Sequence, residues 1–228
     1  MCTFCAVLAA AVFFSGQVRV VEVLLNRISA SVIVLVAVLI GGVTVYFLVP
    51  VYACSSFLSS AETGRVSIHE ALEEASAADP LNPSVPGVNG RLYLQRYLES
   101  DSKDNSLLKE AETFFLKALQ RDRANYKYYE KLARVMIYSG RYEEAMKYAR
   151  GALARYPGLG RLHFLLGRIH EKLGNRVEAL KGYSDSVRIE DAYRRQFRLM
   201  YPGSGVYSRL GEEKYLTARQ KMKALSGS

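Results

Sequence analysis

The polar and apolar positions of this chain recur with a fixed period. The stretch SLLKEAETFFLKALQRDR, residues 106–123, returns as GRYEEAMKYARGALARYP at 140–157 and as GNRVEALKGYSDSVRIED at 174–191, 34 residues apart each time. Aligned, Ala111, Ala145 and Ala179 share one column, and Phe115, Ala149 and Tyr183 share another. Ala118, Ala152 and Ser186 form a third, and Leu119, Leu153 and Val187 a fourth. Glu110, Glu144 and Glu178 stand just before the alanines. The columns are spaced four, three and one, which is one face of an α-helix. Small residues alternate with large ones on it, as expected where two helices approach closely and interlock.

A second helix precedes each copy. Tyr129 matches His163, Leu132 matches Leu166, Ala133 matches Gly167 and Met136 matches His170. It ends at Gly140 and Gly174, residues suited to the left-handed turn between helices. Each unit is a helix, a tight turn and a helix. Such a unit cannot bury its own apolar face, so copies must stack.

The small residue at the eighth position, the turn glycine, the alanine five residues on and the closing Pro157 resemble the tetratricopeptide repeat. Units 126–159 and 160–193 carry the resemblance. Unit 92–125 is degenerate, because LESDSKDNS replaces its turn. Tyr129 and His163 stand where the family has Trp. The resemblance implies an all-α superhelix over 91–193 that acts by binding a protein or peptide.

The front of the chain has a different pattern. No charged residue lies between Arg27 and Glu62. The run 30–52, ASVIVLVAVLIGGVTVYFLVPVY, reaches the roughly 20 apolar residues that span a bilayer. Tyr46 and Tyr52 suit an interface, and Pro50 is read as lying near the helix end, where it costs little. The run starts too late and is too long for a secretory signal. The expectation is a transmembrane helix, with Ala37 and Gly41 as a small-xxx-small packing face. Residues 1–16 are apolar but short. They read either as an interfacial or signal-like start or as the end of a helix that begins upstream. The linker 17–29 carries Arg19 and Arg27, whereas the far side of the run has no basic residue before Arg65. Basic residues in short loops favour the cytoplasm. The repeats are therefore expected across the membrane, in the periplasm if the cell is Gram-negative.

Residues 53–90 join the two parts. SIHEALEEASAA reads as a half-repeat over 67–79, and DPLNPSVPG then breaks it. The order of transmembrane helix, ALEEASAADPLNP and repeats also resembles the C-terminal end of bacterial O-antigen ligase-like membrane proteins. That resemblance implies an alternative: a fragment of a polytopic glycosyltransferase whose catalytic part lies upstream. No glycosyl-transfer residue is carried over. The end of the chain, 194–228, is expected to cap the array, with 205–228 as one helix. Val206, Leu210, Tyr215 and Leu216 would cover the last repeat.

Charge changes the picture. The chain of 228 residues has a formal net charge of +9. From Arg91 onward there are 28 Lys and Arg against 16 Asp and Glu, so the excess lies in the repeats and the segment that follows them. The positions expected to face the inner wall are Lys127, Glu130, Lys131, Arg134, Ile137 and Tyr138 in one unit. In the next they are Arg161, Phe164, Leu165, Arg168, Glu171 and Lys172. We take Lys127, Lys131, Arg134, Tyr138, Arg161, Phe164, Arg168 and Lys172 as the candidate binding set. Their chemistry suits an acidic or C-terminal peptide, or an anionic glycan or lipid headgroup. Nucleic acid is disfavoured, because the cations scatter over both helix faces and no reading motif is present.

Catalytic patterns fail on inspection. Cys2 and Cys5 make a CxxC without a second pair or a polar context. His69, Glu70 and Glu73 give HExxE without the second histidine of a zinc site. GLGRLH at 158–163 lacks the last glycine of a phosphate loop, and PGSGV at 202–206 is not a nucleophile elbow. His163 and His170 fall in core columns. No active site, metal or cofactor is expected in this chain.

Overall fold

The computed structural model describes residues 27–62, 67–101 and 104–226. The apolar segment 1–16 and linker residues 17–26, with Cys2, Cys5 and Arg19, lie outside the described residues. Among the described residues there are nine helices and no strand. They are α1 (Arg27–Glu62), α2 (Ile68–Ala78), α3 (Ser84–Glu99), α4 (Asn105–Arg121), α5 (Tyr126–Tyr138), α6 (Tyr142–Arg155), α7 (Gly160–Lys172), α8 (Arg176–Met200) and α9 (Glu212–Ser226). Two compact units divide at Pro50.

The first unit includes α1 up to Val49, an uninterrupted apolar helix whose side chains from Val34 to Val49 are exposed. The segment Val34–Ser60 is long and apolar enough to cross a membrane, by length and composition. Pro50 is not at its end: the helix continues to Glu62. Its missing N–H removes one hydrogen bond from the ladder.

The second unit holds the repeats. Helices pair as α3 with α4, α5 with α6 and α7 with α8, and each pair packs on the next. Asp104 and Asn125 cap α4 and α5, their carboxylate and amide oxygens accepting from the amides of Ser106 and Lys127 at 2.8 and 3.1 Å. The turns at Gly140 (φ 74°) and Gly174 (φ 75°) are left-handed. Around the first, the Arg141 amide donates to the Met136 carbonyl and the Gly140 amide to that of Ile137. Asn175 and Gly174 repeat this with His170 and Glu171. Both are Schellman closures. Any L-residue at Gly140 would strain by about 1–2 kcal/mol, so Gly140→Ala is expected to lower the thermal midpoint. Gly158→Ala, with nothing within 4 Å and no positive φ, should not.

Every residue of the alanine columns is buried: Ala111, Ala145, Ala179, Ala118, Ala152 and Ser186. Phe115, Ala149 and Tyr183 are buried beside them. Helices α7 and α8 approach closely. A Cβ built on Gly182 would lie 2.7 Å from the Gly167 nitrogen and 2.8 Å from its Cα. Backbone thus meets backbone at Gly167 and Gly182. His163 and His170 are half-buried rather than core. His163 Nε2 lies 2.9 Å from the Pro157 carbonyl, and His170 meets the Asn175 amide group.

Three elements of the second unit depart from the sequence reading. The degenerate unit has its first helix at Ser84, inside the stretch read as a proline-rich join, rather than at 92. Pro86 is tolerated because the first turn has no internal use for its N–H. Gly90 rests on the Phe115 ring as Gly167 rests on Tyr183, its absent Cβ leaving room for the ring. The register of α3 is thereby set by packing, while the inserted LESDSKDNS shifts it off the 34-residue period. Helix α8 runs past 193 to Met200. The last helix begins at Glu212, not 205, because Gly203 (φ 85°) and Gly211 (φ 94°) keep the intervening segment out of a helix. Leu210 and Tyr215 cover Tyr183 and Val187 as expected, but Leu216 is exposed.

Candidate binding groove

The first helices of the pairs, α3, α5 and α7, carry side chains into one groove of about 620 Å³. Spacing decides who reaches it. Lys127, Lys131 and Arg134 recur on α5 at four and three, and Arg161, Phe164, Leu165 and Arg168 on α7 at three, one and three. Each set is one helix face. Six of the eight candidate residues line the groove: Lys127, Lys131, Arg134, Arg161, Phe164 and Arg168.

Two candidates do not. Tyr138 is half-buried with its ring 5.8 Å from that of Tyr97, and it borders a different cleft with Glu112 and Arg141. Lys172 is exposed at the C-terminal end of α7. Both lie in the last turn of their helix. Of the other inward positions, Glu130 and Leu165 line the groove, and Ile137 packs on the core. Glu171 accepts from Tyr183 Oη at 2.6 Å and from the Lys221 ammonium, so the cap occupies it. Burial, and after it the bond to Glu171, pushes the Tyr183 hydroxyl far above its ordinary range.

The groove also holds residues that the repeat pattern did not point to. Arg91 comes from α3 and Lys214 from α9. Gly90 marks the register of α3 and would have found Arg91. No local signal finds Lys214, whose place depends on how α9 folds back. Tyr128 fills the space above Gly87, and its hydroxyl donates to the Pro83 carbonyl at 3.1 Å.

The electrostatics are one-sided. Arg91, Lys127, Lys131, Arg134, Arg161, Arg168 and Lys214 face the groove, with Glu130 as the one acid among the lining residues. Glu130, 6% exposed, accepts from Arg161 Nη2 at 2.8 Å. That satisfies one edge of the guanidinium and leaves Arg161 Nε buried without a hydrogen-bond partner. A buried donor left unmade costs about 1–3 kcal/mol. Burial holds the Lys131 ammonium below its ordinary value, and Arg134, Arg91 and Arg161 add like-charge repulsion. Neither Lys131, Arg134, Arg91 nor Arg168 has an ion-pair partner among the described residues. The floor is apolar, with Phe115, Phe164 and Leu165. Such an arrangement can hold an anion over an apolar surface. Among the described residues no group of three or more His, Cys, Asp or Glu is placed to hold a metal.

A family model described as tetratricopeptide repeat matches residues 127–169. A solved structure of MamA protein is 17% identical, with 77% of this chain and 92% of that chain covered and a TM-score of 0.51. PcrH from Pseudomonas aeruginosa is 16% identical over 63% of this chain and 92% of its own, with a TM-score of 0.48. The Sgt2 TPR domain from Aspergillus fumigatus is 17% identical over 64% and 82%, with a TM-score of 0.46. None of the curated proteins compared matches the chain. At these identities the likeness to MamA speaks for the fold alone. The repeat match over α5 to α7 and the all-helical paired architecture together support a tetratricopeptide-repeat protein.

Proposed function

We propose that this chain is a membrane-anchored protein-interaction scaffold, with no catalysis of its own, whose groove takes an acidic segment of a partner protein. One observation carries the reading: seven cations and one paired acid surround an apolar floor, and one guanidinium nitrogen there is buried without a partner. An anionic side chain entering the groove would relieve the crowding around Lys131. Charge-assisted hydrogen bonds to it would be about twice as strong as neutral ones.

The spacing gives the segment a shape. Lys127 and Arg134 are seven residues apart on α5, about 10 Å along a helix axis. An extended chain covers that in about three residues. Acidic residues three apart, with an apolar side chain between them on Phe164 and Leu165, fit this frame.

The anchor in this proposal is α1, supported by its apolar length. The basic residues Arg19 and Arg27 support a cytoplasmic linker, and with it repeats on the non-cytoplasmic face. Added protease should then cleave the array in spheroplasts without lysis. Cleavage only after lysis would reverse the orientation. The glycosyltransferase alternative rests on the order of segments, and no residue of the groove favours it.

The test uses the purified full chain in detergent and a fluorescent peptide with glutamates three apart and leucines between. Anisotropy should show saturable binding that weakens with salt. The same peptide with lysine for glutamate should not bind. Binding should also weaken as pH rises toward the ordinary lysine range, because Lys131 loses its charge early. Lys131→Arg should remove that alkaline loss, since arginine keeps its proton. Equal binding of both peptides, or of neither, would overturn the proposal.

A further inference from the structure

The other concentration of unpartnered chemistry lies away from the groove, where α8 ends. Residues 192–211, AYRRQFRLMYPGSGVYSRLG, contain four arginines and no acid. Leu199 is 83% exposed and Tyr207 85%, with Met200 and Tyr201 more than half exposed. Elsewhere in the second unit, beyond α1, large exposed apolar side chains stand apart from one another along the chain. Here four fall within nine residues, among the exposed Arg195, Arg198 and Arg209.

The segment is held at its base. Buried Glu190 accepts from the Leu210 amide at 3.1 Å and from Arg194 Nε at 3.1 Å. Arg194 also reaches Glu212 at 2.6 Å. Leu210 is buried, and the Gly211 amide donates to Ser208 Oγ at 2.9 Å. Tyr193, Phe197 and Tyr201 form a ring ladder along α8, with centroids 5.9 and 5.0 Å apart. Arg209 lies over the Tyr193 ring at 5.1 Å. A segment pinned at both ends while its apolar tips face water is not excused by looseness.

We infer that residues 195–209 form a docking surface for an anionic lipid bilayer. The charge complementarity commits it to that occupant. Arginines without acids are attracted to anionic headgroups, tyrosine rings favour the bilayer interface, and exposed leucine and methionine gain by entering the acyl boundary. A purely acidic surface would satisfy the arginines but leave Leu199, Met200 and Tyr207 in water. This inference does not require α1 to span a membrane.

The chain contains no tryptophan, so Tyr207→Trp supplies a single indole reporter. Val177→Trp places the same reporter on an exposed site near the other end of α8, 76% exposed. Both full-length variants are reconstituted into vesicles of phosphatidylcholine carrying brominated acyl chains, with or without phosphatidylglycerol. The expected result for Tyr207→Trp is a blue shift and quenching of its indole in the phosphatidylglycerol vesicles. The indole of Val177→Trp stays unquenched. Adding Arg195→Glu and Arg198→Glu to the Tyr207→Trp variant abolishes the quenching. Flotation with neutral vesicles reads α1 separately, so loss of the anchor and loss of the patch are distinguished. An indole quenched no more in Tyr207→Trp than in Val177→Trp would overturn the inference. So would a blue shift that appears without vesicles and grows with protein concentration, which would assign the patch to a second copy.

Discussion

Replacing Gly182 by valine is expected to lower the thermal midpoint of the full chain by about 6–12 °C. A Cβ there meets the Gly167 nitrogen, its Cα and the His163 carbonyl oxygen, all within 3.0 Å. These are backbone atoms of α7. No side chain can swing aside, so the whole helix must move. Overpacking costs about 1–3 kcal/mol and occasionally more. We take the upper end, about 3 kcal/mol, because valine adds further atoms and loses χ1 freedom in a helix. A domain of this size loses about 2–4 °C per kcal/mol. Gly151 makes the comparison informative. A Cβ there would meet the Tyr129 ring at 2.8 Å, a half-buried side chain able to yield. Gly151→Ala should therefore cost much less than Gly182→Val, and alanine's better helix propensity offsets part of it. Circular dichroism melts of the two variants decide the matter. Equal midpoints would show that α7 and α8 do not approach as closely as described.

The second large effect concerns binding. Lys131→Glu with Arg134→Glu should weaken the acidic peptide by on the order of 100-fold. Each lost charge-assisted hydrogen bond is worth about 1.5–3 kcal/mol. The low end is appropriate because the groove is open to solvent. Two of them give about 3 kcal/mol, or two factors of ten. The midpoint of unfolding should not fall, since reversal relieves repulsion that now surrounds Lys131. Lys172→Glu, outside the groove, should change affinity little. A double variant that binds as the parent does would remove the groove from the function. One that unfolds would mean that these residues hold the fold rather than a ligand.

The 34-residue period was enough to place α5, α6, α7 and the start of α8, and to name the buried columns. Columns of that kind are legible because a stacked unit must repeat its contacts. Gly140 and Gly174 were legible because few other residues tolerate positive φ. Six of the eight candidate groove residues follow from the same logic, since inward positions on a helix recur at three and four. Tyr138 and Lys172 stand outside the groove, each in the last turn of its helix.

What the sequence alone determined is therefore the local and periodic part: helix faces, turns, the apolar run of α1 and the excess of positive charge after Arg91. Tertiary structure decided the rest. It set the register of α3 through Gly90 and Phe115, carried Arg91 and Lys214 to a shared groove, and paired Glu130 with Arg161. It also pinned Leu210 on Glu190, which leaves Tyr207 in water. They bring together residues from 20 to more than 100 positions apart in the chain. A repeat period records only what each unit does to its neighbour: the packing of Gly90 on Phe115 repeats that of Gly167 on Tyr183 but out of register with the period, and the others join residues that the period does not relate.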